Sequence, residues 1–447
     1  MQSIDDILGL HDVFISIVYL IIIFSIAFIV KNRYSNLKRY KYLAWGLLFK
    51  IIGVISFCFI YLFYYKGGDT ISYFQGAKAL ADLFKINFNY FYDVVFLNKL
   101  DWNHYMAFNS ETWYPPFYMW NDKNTFSVCR FSSFFSLITF NSFFATSILV
   151  ATFSFFGIWK IFSLFDSLFP NNSLMLAILI LFMPSLIFWG SGIMKDSYVL
   201  SSTCWATYNF HKIFIERKKI FINVIILILN ILIVINTKSY VLVCLLPGML
   251  LWLNSAYLKN TRSVLKKIIL FPIIFSSIVL VGYFLFSNLS SSMGVYGDVD
   301  SVVKKVQVTQ KDLLREDQYG GNNYNIGEID GTISGLISIA PKAIFTAIFR
   351  PLFWEVGSPV MIISVIENTL LLLMTIYLFI RVGPFKLIRV IISEPLLLYS
   401  LIFSILFAFG VGIAGTNFGA LVRYKTPLMP FFFTMIYLIY SKDKNIS

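Results

Sequence analysis

Charge is scarce in this 447-residue chain: Asp, Glu, Lys and Arg make up only 13% of it, about half the roughly 25% of an ordinary soluble domain. That shortage excludes a protein coated on all sides by water. Cysteine is scarcer still. Cys58, Cys129, Cys204 and Cys244 lie far apart, and all but Cys129 fall inside apolar runs, which excludes a disulfide framework or metal knuckle and leaves them as packing residues. The three histidines, His11, His104 and His211, show no i,i+4 pair and no local carboxylate cluster, so the common helical metal site is excluded too. Also missing are an internal repeat, a glycine-rich phosphate-cradling loop and any stretch for a soluble catalytic domain. A nucleotide-sugar enzyme with a cytosolic domain is therefore not expected.

What fills the chain is apolar: 58% hydrophobic and 19% aromatic residues, with a mean hydropathy of +0.75. Runs of about 20 apolar residues, long enough for a hydrocarbon core of roughly 30 Å, recur from end to end. They predict an all-α polytopic membrane protein with about eleven transmembrane helices, one transmembrane domain over 1–447. The spans are expected to start near Val13, Leu43, Phe131, Ser173, Ser197, Ile220, Val241, Ile268, Ile362, Pro395 and Thr426. Residues 1–12 are acidic rather than basic, and the apolar stretch after them ends at Lys31, so it reads as a retained helix rather than a cleaved signal.

The 36 Lys and Arg against 23 Asp and Glu give +13, and their placement reads as a topology signal rather than a nucleic-acid surface; no nucleic-acid partner is expected. The acid-free loop Lys31 to Lys41 is expected in the cytoplasm. Alternation then puts Arg217–Lys219, the Lys259–Lys267 turn, Arg381–Arg389 and Lys442–Lys444 on the same side. The N-terminus falls outside and the C-terminus in the cytoplasm. Two outer segments exceed a turn, 66–130 and 288–360, and loops of that length usually serve function or lack order. The first is rich in Tyr, Phe and Trp, as short helices lying in the membrane interface would be. The second begins polar, at Ser290–Ser292 and Gly320–Asn323, and reads there as a mobile lid; from Ile333 to Phe353 it reads as an amphipathic surface helix.

Charges bordering apolar spans are costly, so each is a functional candidate. In Lys66-Gly-Gly-Asp69-Thr70, two glycines permit a sharp turn that sets Asp69 at the outer mouth as a general base or as a helix N-cap, and both roles are compatible. In Trp189-Gly-Ser-Gly-Ile-Met-Lys195-Asp196, a cation and a carboxylate lie side by side as a substrate site or a structural ion pair. Arg350 and Glu355 flank Trp354 as ligand groups or interfacial anchors, with Glu367 a turn into the next span. In Arg423-Tyr424-Lys425 two cations break the positive-inside pattern and suggest an anionic ligand, with Arg423 as principal phosphate ligand, Lys195 assisting and Lys425 an interfacial anchor. Asn223 and Asn230, seven apart in the sixth span, are expected to hydrogen-bond between helices. A lipid phosphate is the anionic donor that reaches an outer face within the membrane.

These residues carry a resemblance. Gly68-Asp69-Thr70 through Tyr73, Ala77 and Leu80, the turn from Pro184 to Ser197, and Arg423-Tyr424-Lys425-Thr426-Pro427-Leu428-Met429-Pro430 are similar, in that order, to motifs of the GT-C membrane glycosyltransferases, including the bacterial protein mannosyltransferase-like enzymes. The chain differs in having Thr70, not a second acid, after Asp69. The resemblance implies a sugar transferase of the bacterial inner membrane that uses a polyprenyl-phosphate-linked sugar and a glycan or lipid-linked acceptor among membrane lipids. Asp69 would be the catalytic base and Asp196 the second acid. It implies that Asp69, Lys195, Asp196, Glu355 and Arg423 meet around one outer cavity. No cofactor is required by these residues, and assistance by a divalent metal is left open. The long second loop also resembles those of O-antigen and capsule polymerases, which leaves a lipid-linked repeat-unit polymerase as one alternative. A lipid-linked oligosaccharide flippase is the other, although a transporter would place ionisable groups near the midplane.

Overall fold

The computed structural model describes residues 9–260, 304, 306–310, 312, 322–327 and 333–446. The expected span near Ile268, the basic residues Arg262 to Lys267, and the segments at Ser290–Ser292 and Gly320–Gly321 lie outside them. Among the described residues the chain is helical, with one isolated antiparallel bridge, Asn323 to Asn417, and no strand. It divides into two compact units: Met1–Cys204 with Asn236–Lys238, and Trp205–Ile235 with Ser239–Ser447.

The first unit runs through α1 (Leu10–Arg33), α2 (Leu43–Phe59), α3 (Asp69–Ile86), α4 (Phe88–Val95), α5 (Trp102–Tyr105), α6 (Phe117–Trp120), α7 (Lys123–Ile138), α8 (Phe143–Leu168), α9 (Ser173–Leu181), α10 (Pro184–Phe188) and the start of α11 (Lys195–Phe210). α8 packs against α1, α2 and α9, and α3 lies along α7. Asp12 is buried and accepts hydrogen bonds from Ser142 Oγ (2.5 Å) and Phe144 N (3.3 Å), so an acid of α1 closes the positive end of α8. The second unit holds most of α12 (Ile220–Lys238), then α13 (Tyr240–Asn260), α14 (Ile333–Phe349), α15 (Ile362–Val382), α16 (Pro384–Ser393), α17 (Pro395–Ala414), α18 (Phe418–Tyr424) and α19 (Met429–Ile446). α17 is its centre, in contact with α13, α14 and α19.

Among the described residues, six helical stretches are long and apolar enough to cross a membrane: Leu10–Arg33, Lys38–Tyr64, Phe143–Leu168, Ile220–Lys238, Pro359–Val382 and Pro395–Ala414. Their outward sides carry large apolar residues such as Phe14, Ile21, Ile29, Phe221 and Ile380, surface that lipid rather than water would cover. Five match expected spans. The third begins at Phe143, not near Phe131, because α7 stops at Ile138: Phe140 and Asn141 take φ of 53° and 62°, and Ser142 accepts from Ala145 N as the N-cap of α8. The starts near Ser173 and Ser197 begin helices of 9 and 16 residues, and 9 residues rise only about 14 Å. α14 is packed on one side, through Ala343 and Ala347, and exposed on the other at Ile337 and Phe345. A Cβ on Gly412 of α17 would lie 2.2 Å from the Ala343 carbonyl oxygen, so only glycine admits this approach.

Candidate functional site

At Gly68 the backbone takes φ +111°, a conformation that favours glycine, and the chain turns there directly into α3. Asp69 is thus the first residue of α3 rather than its cap, half-buried at the end where the helix dipole favours a negative charge. Ser72, Gln75 and Ala79 follow along one side of the same helix. With Lys78 they form one wall of a cavity of about 240 Å3, whose other wall is Thr112, Trp113, Tyr114 and Pro116 from the loop before α6 and Tyr118 from α6 itself. Trp113, Tyr114 and Tyr118 are each about half exposed or more. The Tyr118 phenol is held above its ordinary value first by desolvation, with Ser72 lowering it and the Asp69 charge raising it further. Asp69 is not one of the lining residues; it lies about one helical turn before Ser72 on α3, next to that end of the cavity.

The wall opposite α3 is fixed by a small network. Asn109 Oδ1 accepts from the backbone of Glu111 (2.8 Å) and Thr112 (3.2 Å), while the buried Thr112 hydroxyl accepts from Asn109 N (2.8 Å) and donates to the Trp113 carbonyl (3.1 Å). The next residue, Trp113, is held at φ +57°, unusual for so bulky a side chain. Beyond it Asp101 and Asp93 bracket His104, whose Nδ1 lies 2.7 Å from Asp101 and Nε2 3.3 Å from Asp93; Lys99 donates to Asp93 at 3.0 Å. Two carboxylates thus flank His104, where the sequence showed no local carboxylate cluster, and among the described residues they form no metal site. Asp93 lies below the usual carboxylate range because of its hydrogen bonds from Lys99 and His104, and Asp101 because of His104.

The second acid has a different environment. Asp196, 2% exposed, is bonded to Lys238 Nζ at 2.5 Å, and Lys238 is itself buried. Its partner is thus not its neighbour Lys195, whose ammonium donates to Thr125 Oγ1 (2.7 Å), which donates to Asp122 (2.7 Å), the cap of α7. At Gly192 a Cβ would sit 2.1 Å from the Phe57 ring, so glycine lets this turn approach α2. The same turn is held by Lys50, a cation buried inside a span, which donates to the carbonyls of Leu186 (2.8 Å) and Gly190 (2.7 Å). Lys50 and Lys238 were both missed by sequence reasoning. For Lys50 the available signal was a lone cation inside the apolar run Leu47-Leu48-Phe49-Lys50-Ile51.

In the second unit Arg350 is fully engaged. Its Nε donates to both Glu355 oxygens (2.8 and 3.1 Å), its Nη2 also meets Glu355, and its guanidinium lies over Tyr324 (5.2 Å) and Phe418 (5.0 Å). Lys425 is not at an interface: it is 1% exposed and donates to Asn368 Oδ1 (2.6 Å) and to the carbonyls of Arg350 (3.0 Å) and Ile348 (3.3 Å), with the buried Glu367 charge acting on it. The turn between α18 and α19 points Lys425 inward, where carbonyls at the end of α14 need a donor. Arg423 is half-buried beside Tyr424, its guanidinium 5.8 Å from that ring. Asn223 and Asn230 donate to carbonyls of their own segment, Lys218 and Lys219 for the first and Ile226 for the second, rather than across helices.

Of the five groups expected to meet, Asp69, Lys195 and Asp196 belong to the first unit and Glu355 and Arg423 to the second. All four cysteines are buried and free. The described residues do not fit a resident metal: no group of three His, Cys, Asp or Glu is placed to hold one. Compared with known protein families, with curated proteins and with solved structures, the chain matches none.

Proposed function

We propose that this protein is a membrane glycosyltransferase that moves a sugar from a polyprenyl-phosphate donor to an acceptor hydroxyl on the outer face of a bacterial inner membrane. In this reading the chain crosses the membrane about eleven times, with its N-terminus outside and C-terminus in the cytoplasm. The observation that carries it is the placement of Asp69, first residue of α3, beside a cavity walled by exposed aromatic rings and polar side chains. Flat rings offer apolar faces to the C–H side of a sugar, while Ser72 and Gln75 offer hydrogen bonds to its hydroxyls.

Asp69 takes the proton of the acceptor hydroxyl as that oxygen bonds to the sugar's anomeric carbon. The bond from that carbon to the phosphate oxygen breaks, and the lipid phosphate departs with the electron pair. On the second unit, taken by itself, Arg423 is our choice for a phosphate-binding residue, since its planar fork matches phosphate oxygens. Asp196 is assigned no proton transfer, because its ion pair with Lys238 occupies it. Purified protein in proteoliposomes, supplied with a radiolabelled polyprenyl-phosphate sugar, tests the reading. Asp69→Asn is expected to lower transfer by about 10²- to 10⁴-fold, the usual contribution of a general base. Wild-type turnover by a folded Asp69→Asn protein would refute it.

A further inference from the structure

The cavity on α3 has one charge in its lining, and that charge is positive. Lys78 shares the space with Ser72, Gln75, Trp113, Tyr114 and Tyr118, and makes no ion pair among the described residues. The opposite wall is built to hold a ring in place: the Asn109–Thr112 network fixes the backbone, and Trp113 sits beyond it at φ +57° with its indole more than half exposed. A tryptophan gains nothing from an exposed, left-handed position by itself, and such strain gathers where a side chain must be presented to a ligand. The volume, about 240 Å3, falls below the roughly 300–1,000 Å3 of sites for drug-sized ligands, so it suits one sugar ring and not a chain of them.

We propose that this cavity is an acceptor subsite for a single carboxylate-bearing sugar residue, its ring stacked on Trp113 and its carboxylate bonded to Lys78. This rests on the glycosyltransferase reading for the word acceptor, and on the cavity alone for the ligand's chemistry. Lys78 follows Asp69 by nine residues, roughly 13 Å along a helix. The acidic residue is therefore not the one whose hydroxyl reacts at Asp69, and the acceptor is at least a disaccharide.

The test is calorimetric titration of the detergent-solubilised full chain with cellobiouronic acid and with cellobiose, which differ by one carboxylate. The acidic disaccharide is expected to bind more tightly. Lys78→Gln should weaken the acid alone by about 10- to 100-fold, the range for a charge-assisted hydrogen bond, and Lys78→Arg should restore most of it. Trp113→Gly should weaken both ligands by about 2- to 12-fold, the worth of a ring contact, while the melting temperature holds or rises because glycine relieves the backbone. Equal binding of the two sugars, absence of binding by either, or indifference of the acid to Lys78→Gln would overturn the proposal. Repeating the titrations in Asp69→Asn separates the two readings. Lys78-dependent binding without transfer activity in the wild type would sink only the transferase, and transfer without Lys78-dependent binding would sink only the subsite.

Discussion

The carboxylates Asp69 and Asp196 looked alike in sequence, each beside glycines at the end of an apolar run, yet the first unit treats them in opposite ways. Asp69 begins α3 half-buried beside an open cavity, whereas Asp196 is buried and tied to Lys238. The second unit repeats the latter pattern, with Arg350 on Glu355 and Lys425 on Asn368 and two carbonyls. The contrast teaches that a costly charge near a membrane marks either a site or a staple, and that its burial and its nearness to an open cavity separate the two.

The largest expected effect comes from breaking that contrast at Asp69. Asp69→Asn is predicted to cost about 10²- to 10⁴-fold in transfer with little change in the melting temperature. Asp196→Asn should do the reverse, since removing one member of a buried ion pair costs about 3–5 kcal/mol of stability; adding Lys238→Met should recover part of it, as thermal unfolding in detergent would report. Lys425→Met leaves three oxygens without their donor, about 1–3 kcal/mol for each unsatisfied group, and the loss should appear in unfolding rather than in donor titrations. Arg423→Lys, by contrast, should weaken donor binding by about 1–3 kcal/mol and leave the melting temperature in place. Lys425→Met that melts like the wild type would remove the staple assignment.

How much of this could be read beforehand depends on the range of the interaction. The long spans and the start of α3 were legible because run length and the Gly67-Gly68-Asp69 turn are local signals. The break between α7 and α8 was written locally too, in Phe140-Asn141-Ser142, but was masked by the apolar residues around it. The partners of the charges were not legible. Lys238 is 42 residues from Asp196, and the carbonyls that bind Lys425 are 75 and 77 residues away; periodicity says which face a residue occupies, not what meets it there. The cavity likewise joins α3 to a loop more than 30 residues on, and the aromatic richness of 66–130 was visible without its geometry.

The smallest predicted effect concerns pH. The folded pKa values of Asp93 and Asp101 are depressed by their Lys99 and His104 hydrogen bonds, so their contribution is present above the ordinary carboxylate value, about 3.9, and is lost as pH falls through the folded values. Hydrogen exchange across 88–105 should therefore accelerate below about pH 4 beyond its intrinsic pH dependence, and Asp93→Asn should flatten that response.

The most direct test of the division between site and staple is a paired measurement on Asp69→Asn and Asp196→Asn, with transfer rate and melting temperature taken on the same purified samples. The account predicts a slow, stable Asp69→Asn protein and a destabilised Asp196→Asn protein that still transfers sugar below its melting point. A stable Asp196→Asn protein without activity, beside an Asp69→Asn protein with full activity, would contradict it.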